Sequence, residues 1–179
     1  MLESSLVILN PMDLDDVSDT YVGWLNDPET FRYLGTKFGQ TNATVRAYVE
    51  RMRPPSILSK IVERASGAHV GNIALHSFDP VHRNAELGIM IGVREARGRG
   101  LGREACRLLI AFAFDHLNLH KVTAGTVEHN VGMAKVFESL GFDVEGRLIE
   151  HYYLEGRYHD VLRFGLRRER FTAERTALQ

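Results

Sequence analysis

The stretch Arg97-Gly98-Arg99-Gly100-Leu101-Gly102-Arg103 decides how this chain is read. It lies between an apolar, strand-like run, Leu87 to Val93, and a long amphipathic run, Glu104 to Leu117. Glycine lets a backbone turn tightly and approach a ligand without a Cβ in the way. A helix that starts there aims unpaired N–H groups and a partial positive charge at the same spot. Strand, glycine-rich loop and helix together make a phosphate cradle, and three arginines add counter-charge. A P-loop would end in Gly-Lys-Ser/Thr, whereas this loop ends in Gly102-Arg103-Glu104. A dinucleotide fingerprint would need glycine at 103 and an acidic residue about 20 positions on, near Val122. Neither pattern fits.

Composition sets outer bounds. The chain has 179 residues, enough for one domain, 1–179, with a substantial core. With 44% hydrophobic and 25% charged residues, it falls in the ordinary globular class. A net charge of -1 favours neither nucleic acid nor an anionic membrane as a bulk partner. A lone cysteine, Cys106, excludes an intramolecular disulfide framework and a cysteine-based zinc site. The N-terminal Met1-Leu2-Glu3-Ser4-Ser5 lacks a secretory pattern, and no apolar run is long enough for a bilayer. The expectation is a cytoplasmic protein.

Hydrophobic periodicity and punctuation give the elements. Leu6 to Leu9 reads as a first strand, with Asp13 capping a helix through about Leu25. A short helix follows Asn26-Asp27-Pro28, and Thr41 caps a longer one stopped by Pro54-Pro55. Ile57–Arg64 and His69–Phe78 form a hairpin about Ser66-Gly67, and Asn84–Val93 is a further strand. Gly88 and Gly92 within it predict a bulge or a close backbone approach. The helix after the glycine loop presents Leu101, Ala105, Leu108, Leu109 and Phe112 as a core face. Lys121–Val127 is a strand, and Asn130–Leu140 a helix closed by Gly141. A last hairpin, Phe142–Leu154 with Tyr158–Leu166, turns at Glu155-Gly156. The expected fold is α/β (α+β): a mixed, mainly antiparallel sheet of about seven strands with helices on both faces.

Arg97, Gly100 and Gly102 satisfy in register the pattern Arg/Gln-x-x-Gly-x-Gly/Ala. This resembles the pyrophosphate-binding loop of the GNAT N-acetyltransferases, which hold acetyl-coenzyme A. Further stretches look like the branch that acetylates ribosomal-protein N-termini and amino sugars. They are His120-Lys121-Val122, Asn130, Leu140-Gly141-Phe142, Glu145-Gly146 and Gly156-Arg157-Tyr158-His159-Asp160. The resemblance is strongest from about Ala85 to Leu166, and Trp24-Leu25-Asn26-Asp27-Pro28-Glu29 is also similar.

The resemblance implies an acetyl-CoA-dependent N-acetyltransferase acting by direct transfer in a ternary complex. Its cofactor is acetyl-CoA, with no metal. Backbone N–H groups of Arg99 to Arg103 would bind the pyrophosphate, with Arg97 and Gly98 in the same loop. The strand carrying Ile89, Ile91 and Val93 would pair with pantetheine as an added strand. Asn130 would lie near the pantetheine arm, or act as a simple helix cap, and Lys135 and Arg94 are candidates for phosphate contact.

Glu86 is the candidate general base, on the strand entering the expected bulge. Many relatives carry a tyrosine seven residues after the asparagine, as the acid for the leaving thiolate. Here that position is Phe137, which has no proton to give. Trp24, Asn26, Tyr33, His76, His151 and Tyr158 are candidates for the acceptor pocket, and Asp160 reads as structural. Cys106 reads as a buried hydrophobe. His116 and His120 lack the glutamate of a zinc-protease helix.

The acceptor is expected to be a primary amine, either an amino sugar, nucleotide-linked by preference, or a protein N-terminus. A non-catalytic acyl-CoA sensor is the rival reading. Homodimers are common in such folds, and no stripe here singles out a dimer face.

Overall fold

Eight segments build one sheet in the computed structural model, which describes residues 1–34 and 39–171. Its strands are β1 (Leu2–Glu3), β2 (Val7–Pro11), β3 (Ile57–Glu63), β4 (His69–Asp79), β5 (Asn84–Ile91), β6 (Lys121–Val127), β7 (Asp143–Leu154) and β8 (Arg157–Arg167). Their order across the sheet is β1-β2-β3-β4-β5-β6-β8-β7. All neighbours are antiparallel except β5 and β6. The parallel pair follows from the helix between them, because a crossover returns the chain in the same direction.

The helices are α1 (Asp19–Asn26), α2 (Pro28–Phe31), α3 (Asn42–Arg51), α4 (Leu101–Asp115) and α5 (Val131–Ser139). Each of four starts on a side-chain cap: Ser18, Asp27, Thr41 and Asn130 accept from backbone N–H groups in the first turn. Gly141, at φ +86°, closes α5 in the left-handed region. No helix among the described residues is long and apolar enough to cross a membrane.

The sheet buries both faces, as strand alternation requires. Ile73 and Leu75 of β4 enter the main core with α4 and Phe137 of α5. Ala74, between them, packs instead with Leu58 and with Val49 of α3. The strip that α4 buries is Leu101, Ala105, Cys106, Leu109, Ile110, Ala113 and Phe114. It is rotated from the expected face: Leu108 and Phe112 are only partly buried at its margin.

Three other expectations are corrected. Residues Asp13 to Leu25 do not form one helix. Asp13 and Asp16 close a reciprocal capping box around a single 3-10 turn, Leu14–Asp16, and Ser18 then caps α1 separately. Lys60 Nζ, 2.5 Å from Asp16, ties that turn to β3. The sheet also gains β1, a short edge strand paired with β2. Finally, β4 and β5 stay in register past Gly88, and their irregularity falls between His76 and Asp79 on β4, so the bulge is not at Gly88. At Gly92 the other expected reason holds, a close approach: a Cβ there would lie 2.0 Å from the Trp24 ring.

Candidate functional site

The site begins where β5 and β6 part. Their ladder joins Asn84–Leu87 to Lys121–Ala124 and goes no further. From Gly88 to Ile91, β5 is paired on its β4 side alone, which leaves an open strand edge facing the gap. After β5 the chain makes a 3-10 turn, Arg94–Ala96, and enters the glycine loop. Gly98 (φ +70°) and Gly100 (φ +80°) are both left-handed, and Gly100 is the N-cap of α4. The N–H groups of Leu101, Gly102 and Arg103 open the helix and have no intrahelical acceptor. An anion receives both these donors and the positive end of the helix dipole.

The loop arginines serve mostly as struts. Arg97 Nε donates to Ile91 O at 3.1 Å, and its Nη2 to Thr30 Oγ1 at 2.6 Å and Gly92 O at 3.3 Å. Arg99 pairs with Glu63 at 2.5 Å. Arg103 Nε donates to Ser139 Oγ at 3.0 Å, linking the loop to the end of α5. The Ser66 hydroxyl, and then Arg99, hold the Glu63 carboxyl below its usual range.

Two cavities meet at the open edge. One, of about 520 Å³, is lined by Arg97, Gly98, Gly100, Gly102 and Arg103, by Ile89 and Ile91, and by Asn130 and Phe137 of the α5 region. Of the expected cofactor contacts, Val93 and Lys135 do not line it: Val93 donates its N–H to Val70 O, and Lys135 is on the exposed side of α5. The side chains of Leu101 and Arg99 lie elsewhere, Leu101 in the core at 3% exposure and Arg99 on Glu63, while the contact expected of them is through the backbone N–H. Arg94 lies 3.8 Å from Asp27. Asn130 Oδ1 accepts from Met133 N at 3.2 Å, so its capping role is seen directly. Phe137 is wedged between Phe142 and Phe164, each centroid 5.2 Å away.

The other cavity, of about 840 Å³, lies towards α1 and α3 and takes in Tyr33, His76, Glu86, Tyr48, Asn72 and Tyr152. Tyr33, Gly88, Ile89, Met90, Gly125 and Thr126 line both cavities, so the two adjoin along this shared lining. Glu86 Oε1 accepts from Arg163 Nη1 at 2.8 Å. Its setting is therefore a half-buried one with a guanidinium partner. Gly125 leaves room for that pair: a Cβ there would lie 2.9 Å from Arg163 Nη1.

Four residues expected in the acceptor pocket stand elsewhere. Trp24 packs over Gly92 and edge-on to His69, centroids 5.0 Å apart. Asn26 clamps the Gln40 backbone with two hydrogen bonds of 2.8 Å. His151 stacks on Tyr152, and Tyr158 is 61% exposed beside Tyr153. Tyr152 reaches the cavity because β7 slips register between Leu148 and Tyr152. Asp160 fixes that irregularity by accepting from Glu150 N at 2.7 Å and from Arg147 Nε. Asn72, Gly125 and Arg163 went unseen in the sequence, because only sheet register brings them to this place, and Tyr48 arrives through the packing of α3. Cys106 is fully buried, and burial pushes its thiol up to about 12, which suits a packing role and not a nucleophile.

Comparison with known proteins places this geometry. Residues 7–143 match the family described as acetyltransferase (GNAT) domain. YdaF of Bacillus subtilis, named as a candidate ribosomal N-acetyltransferase, is 35% identical over 109 residues, 61% of this chain and 59% of that protein. The spermidine N(1)-acetyltransferase of Vibrio cholerae is 34% identical over 103 residues, 58% of this chain and 59% of that protein. The chain thus spans about 59% of the length of these curated relatives. A crystal structure of the Vibrio cholerae spermidine N-acetyltransferase with CoA and spermine superposes with a TM-score of 0.86 at 22% identity, covering 94% of this chain and 99% of that one.

Proposed function

The chain belongs to the GNAT acetyltransferase family, and from that premise we propose that it transfers an acetyl group from acetyl-CoA to a primary amine by direct attack in a ternary complex. The supporting observation is the lining that the two adjoining cavities share at the open edge of β5. A donor on the loop side and an acceptor on the α1/α3 side meet there without a covalent enzyme intermediate.

The residues present fit acetyl-CoA. The left-handed loop and the start of α4 suit its pyrophosphate, and the unpaired β5 edge suits its amide-bearing arm. When bound, acetyl-CoA supplies an acetyl thioester. Gly98, Gly100 and the N–H groups at the start of α4 hold the phosphates, and a backbone N–H of the β5 edge polarises the acetyl carbonyl. Glu86 takes the ammonium proton, directly or through one water, while Arg163 fixes the carboxylate in place. Arg163 also disfavours a second positive charge beside it, which favours the neutral, nucleophilic amine. Phe137 provides no acid, and a thiol leaving group is acidic enough to depart as thiolate.

An amino sugar and a protein N-terminus both meet this chemistry. The relatives add polyamines to the choice, since the similar protein of Vibrio cholerae carries spermidine in its name. Glu86→Gln tests the assignment. Turnover falls at least about 100-fold, as expected for loss of a general base, while acetyl-CoA affinity is kept. Unchanged turnover at neutral pH refutes the role of Glu86.

A further inference from the structure

We propose that His76 is a second catalytic base: Glu86 takes the proton of the incoming ammonium, and His76 Nε2 takes the proton that leaves the same nitrogen after it has attacked. This rests on the acetyl-transfer reading above and adds a residue and a step to it.

The proton count calls for two acceptors in turn. A primary ammonium loses one proton to become a nucleophile. Once its C–N bond to the acetyl carbon has formed, the nitrogen is positively charged and carries two protons, whereas the amide product carries one. The second proton leaves as the C–S bond breaks and its electron pair departs with sulfur. A carboxylate already holding the first proton cannot take the second until it has released the first. A neighbouring imidazole can, because histidine takes up and returns protons near neutral pH. His76 is half-buried, so its ring hands the proton on to water, and the thiolate takes one up from water.

Sheet register puts the two bases side by side. His76 of β4 is paired directly with Glu86 of β5, and both line the acceptor-side cavity. Residues so paired share a face of the sheet, with Cβ atoms about 4.5–5.5 Å apart. The imidazole leans along that face over Gly88: a Cβ on Gly88 would lie 3.5 Å from His76 Nε2. Gly88 is where β5 parts from β6, and it lines both cavities. Nε2 therefore stands over the place where donor and acceptor meet in the reading above.

The other ring nitrogen is held. His76 Nδ1 lies 3.0 Å from Ser77 Oγ. A hydroxyl oxygen accepts from Nδ1–H both in the imidazolium and in the neutral tautomer that leaves Nε2 its lone pair. A base oriented by a third group is the arrangement that proton transfer needs. Ser77 sits at φ +52°, in the left-handed region that a residue other than glycine seldom adopts. It falls within the β4–β5 irregularity between His76 and Asp79. Irregularities of this kind re-aim side chains beside active sites, and backbone strain collects there. Ser77 is thus a positioning residue for His76.

The test follows thiol release from acetyl-CoA with glucosamine, alaninamide and spermidine, and uses the fastest of the three. His76→Gln is expected to lower kcat about 100-fold, as for loss of a proton acceptor, with KM for acetyl-CoA unchanged. His76→Ala is expected to regain at least about fivefold in turnover when imidazole is added to the buffer, since the free base replaces the missing ring. Ser77→Gly is expected to lower kcat about fivefold, the worth of one hydrogen bond. It should nevertheless melt at the same or a higher temperature, because glycine adopts a positive φ freely. A His76→Gln protein that keeps its kcat and changes only KM for the amine overturns the proposal and leaves acetyl transfer standing. A loss of turnover in His76→Ala that imidazole does not relieve also overturns it. Earlier melting of Ser77→Gly with kcat kept overturns the positioning role of Ser77. No thiol release by the unaltered protein on any of the three amines overturns the acetyl-transfer reading itself, and the second base with it.

Discussion

Gly100 and Gly102 lie two residues apart in the loop, and alanine at each has opposite consequences. Gly100 is held at φ +80°, ψ −6°, with nothing within 4 Å of where a Cβ would sit. Alanine there meets no clash, so its whole cost is conformational, about 1–2 kcal/mol for a left-handed L-residue. That energy is lost from folding if the loop keeps its shape, and from acetyl-CoA binding if the loop relaxes. For a protein of this size it appears as a fall of about 2–8 °C in melting temperature, or as about a 5–30-fold weaker Kd, or as a division between the two. Gly102 has no left-handed φ, and a Cβ would rest in ordinary contact, 3.5 Å from Ile91 Cγ1. It lies in the first turn of α4, where alanine gains up to about 1 kcal/mol over glycine. Gly102→Ala is therefore expected to melt at the same or a higher temperature and to bind acetyl-CoA within about threefold of the parent, a difference below 1 kcal/mol. Thermal melting and calorimetric titration on the two variants decide it. A Gly100→Ala protein unchanged in both readouts, or a Gly102→Ala protein that loses stability, refutes the account of the loop.

Further outcomes follow from the packing. Gly92→Ala forces a methyl to within 2.0 Å of the Trp24 ring and is expected to cost about 1–3 kcal/mol in urea unfolding. The Glu150 N–H, and then Arg147, hold the Asp160 carboxyl below its ordinary value of 3.8. Its contribution to stability is present above that ordinary value and is lost as pH falls through the lower folded one. Asp160→Asn should accordingly flatten the acid limb of the stability profile and, by freeing Glu150 and with it Tyr152, raise KM for the acceptor. Cys106, fully buried with its thiol pushed up, is expected to resist thiol reagents in the native protein and to react on denaturation. Labelling at the native rate of an exposed cysteine contradicts that placement.

Where function depends on local backbone, the sequence was legible. Gly98 and Gly100 signal a left-handed loop by being glycine, Thr41 and Asn130 signal helix starts by their side-chain oxygens, and Lys121–Val127 signals a strand by alternation. What depends on register or on competition between equal local signals was not legible. Asp13 and Ser18 are both good caps, and only the Asp13–Asp16 box decides that two short elements form in place of one. Trp24 has the size and polarity of a ligand-binding residue, yet its partner is Gly92, far away in sequence. Arg163 reaches Glu86 because β6 and β8 pair Gly125 with it and Gly125 has no side chain to obstruct it.

Calorimetric titration with acetyl-CoA, run beside a thiol-release assay on amines, tests the central claim most directly. The account predicts saturable binding at one site per chain, and thiol release that depends on an amine and on Glu86. Saturable binding with no release on any amine would leave an acyl-CoA sensor in place of an enzyme. The absence of binding would contradict the assignment of the glycine loop and the open β5 edge to this co-substrate.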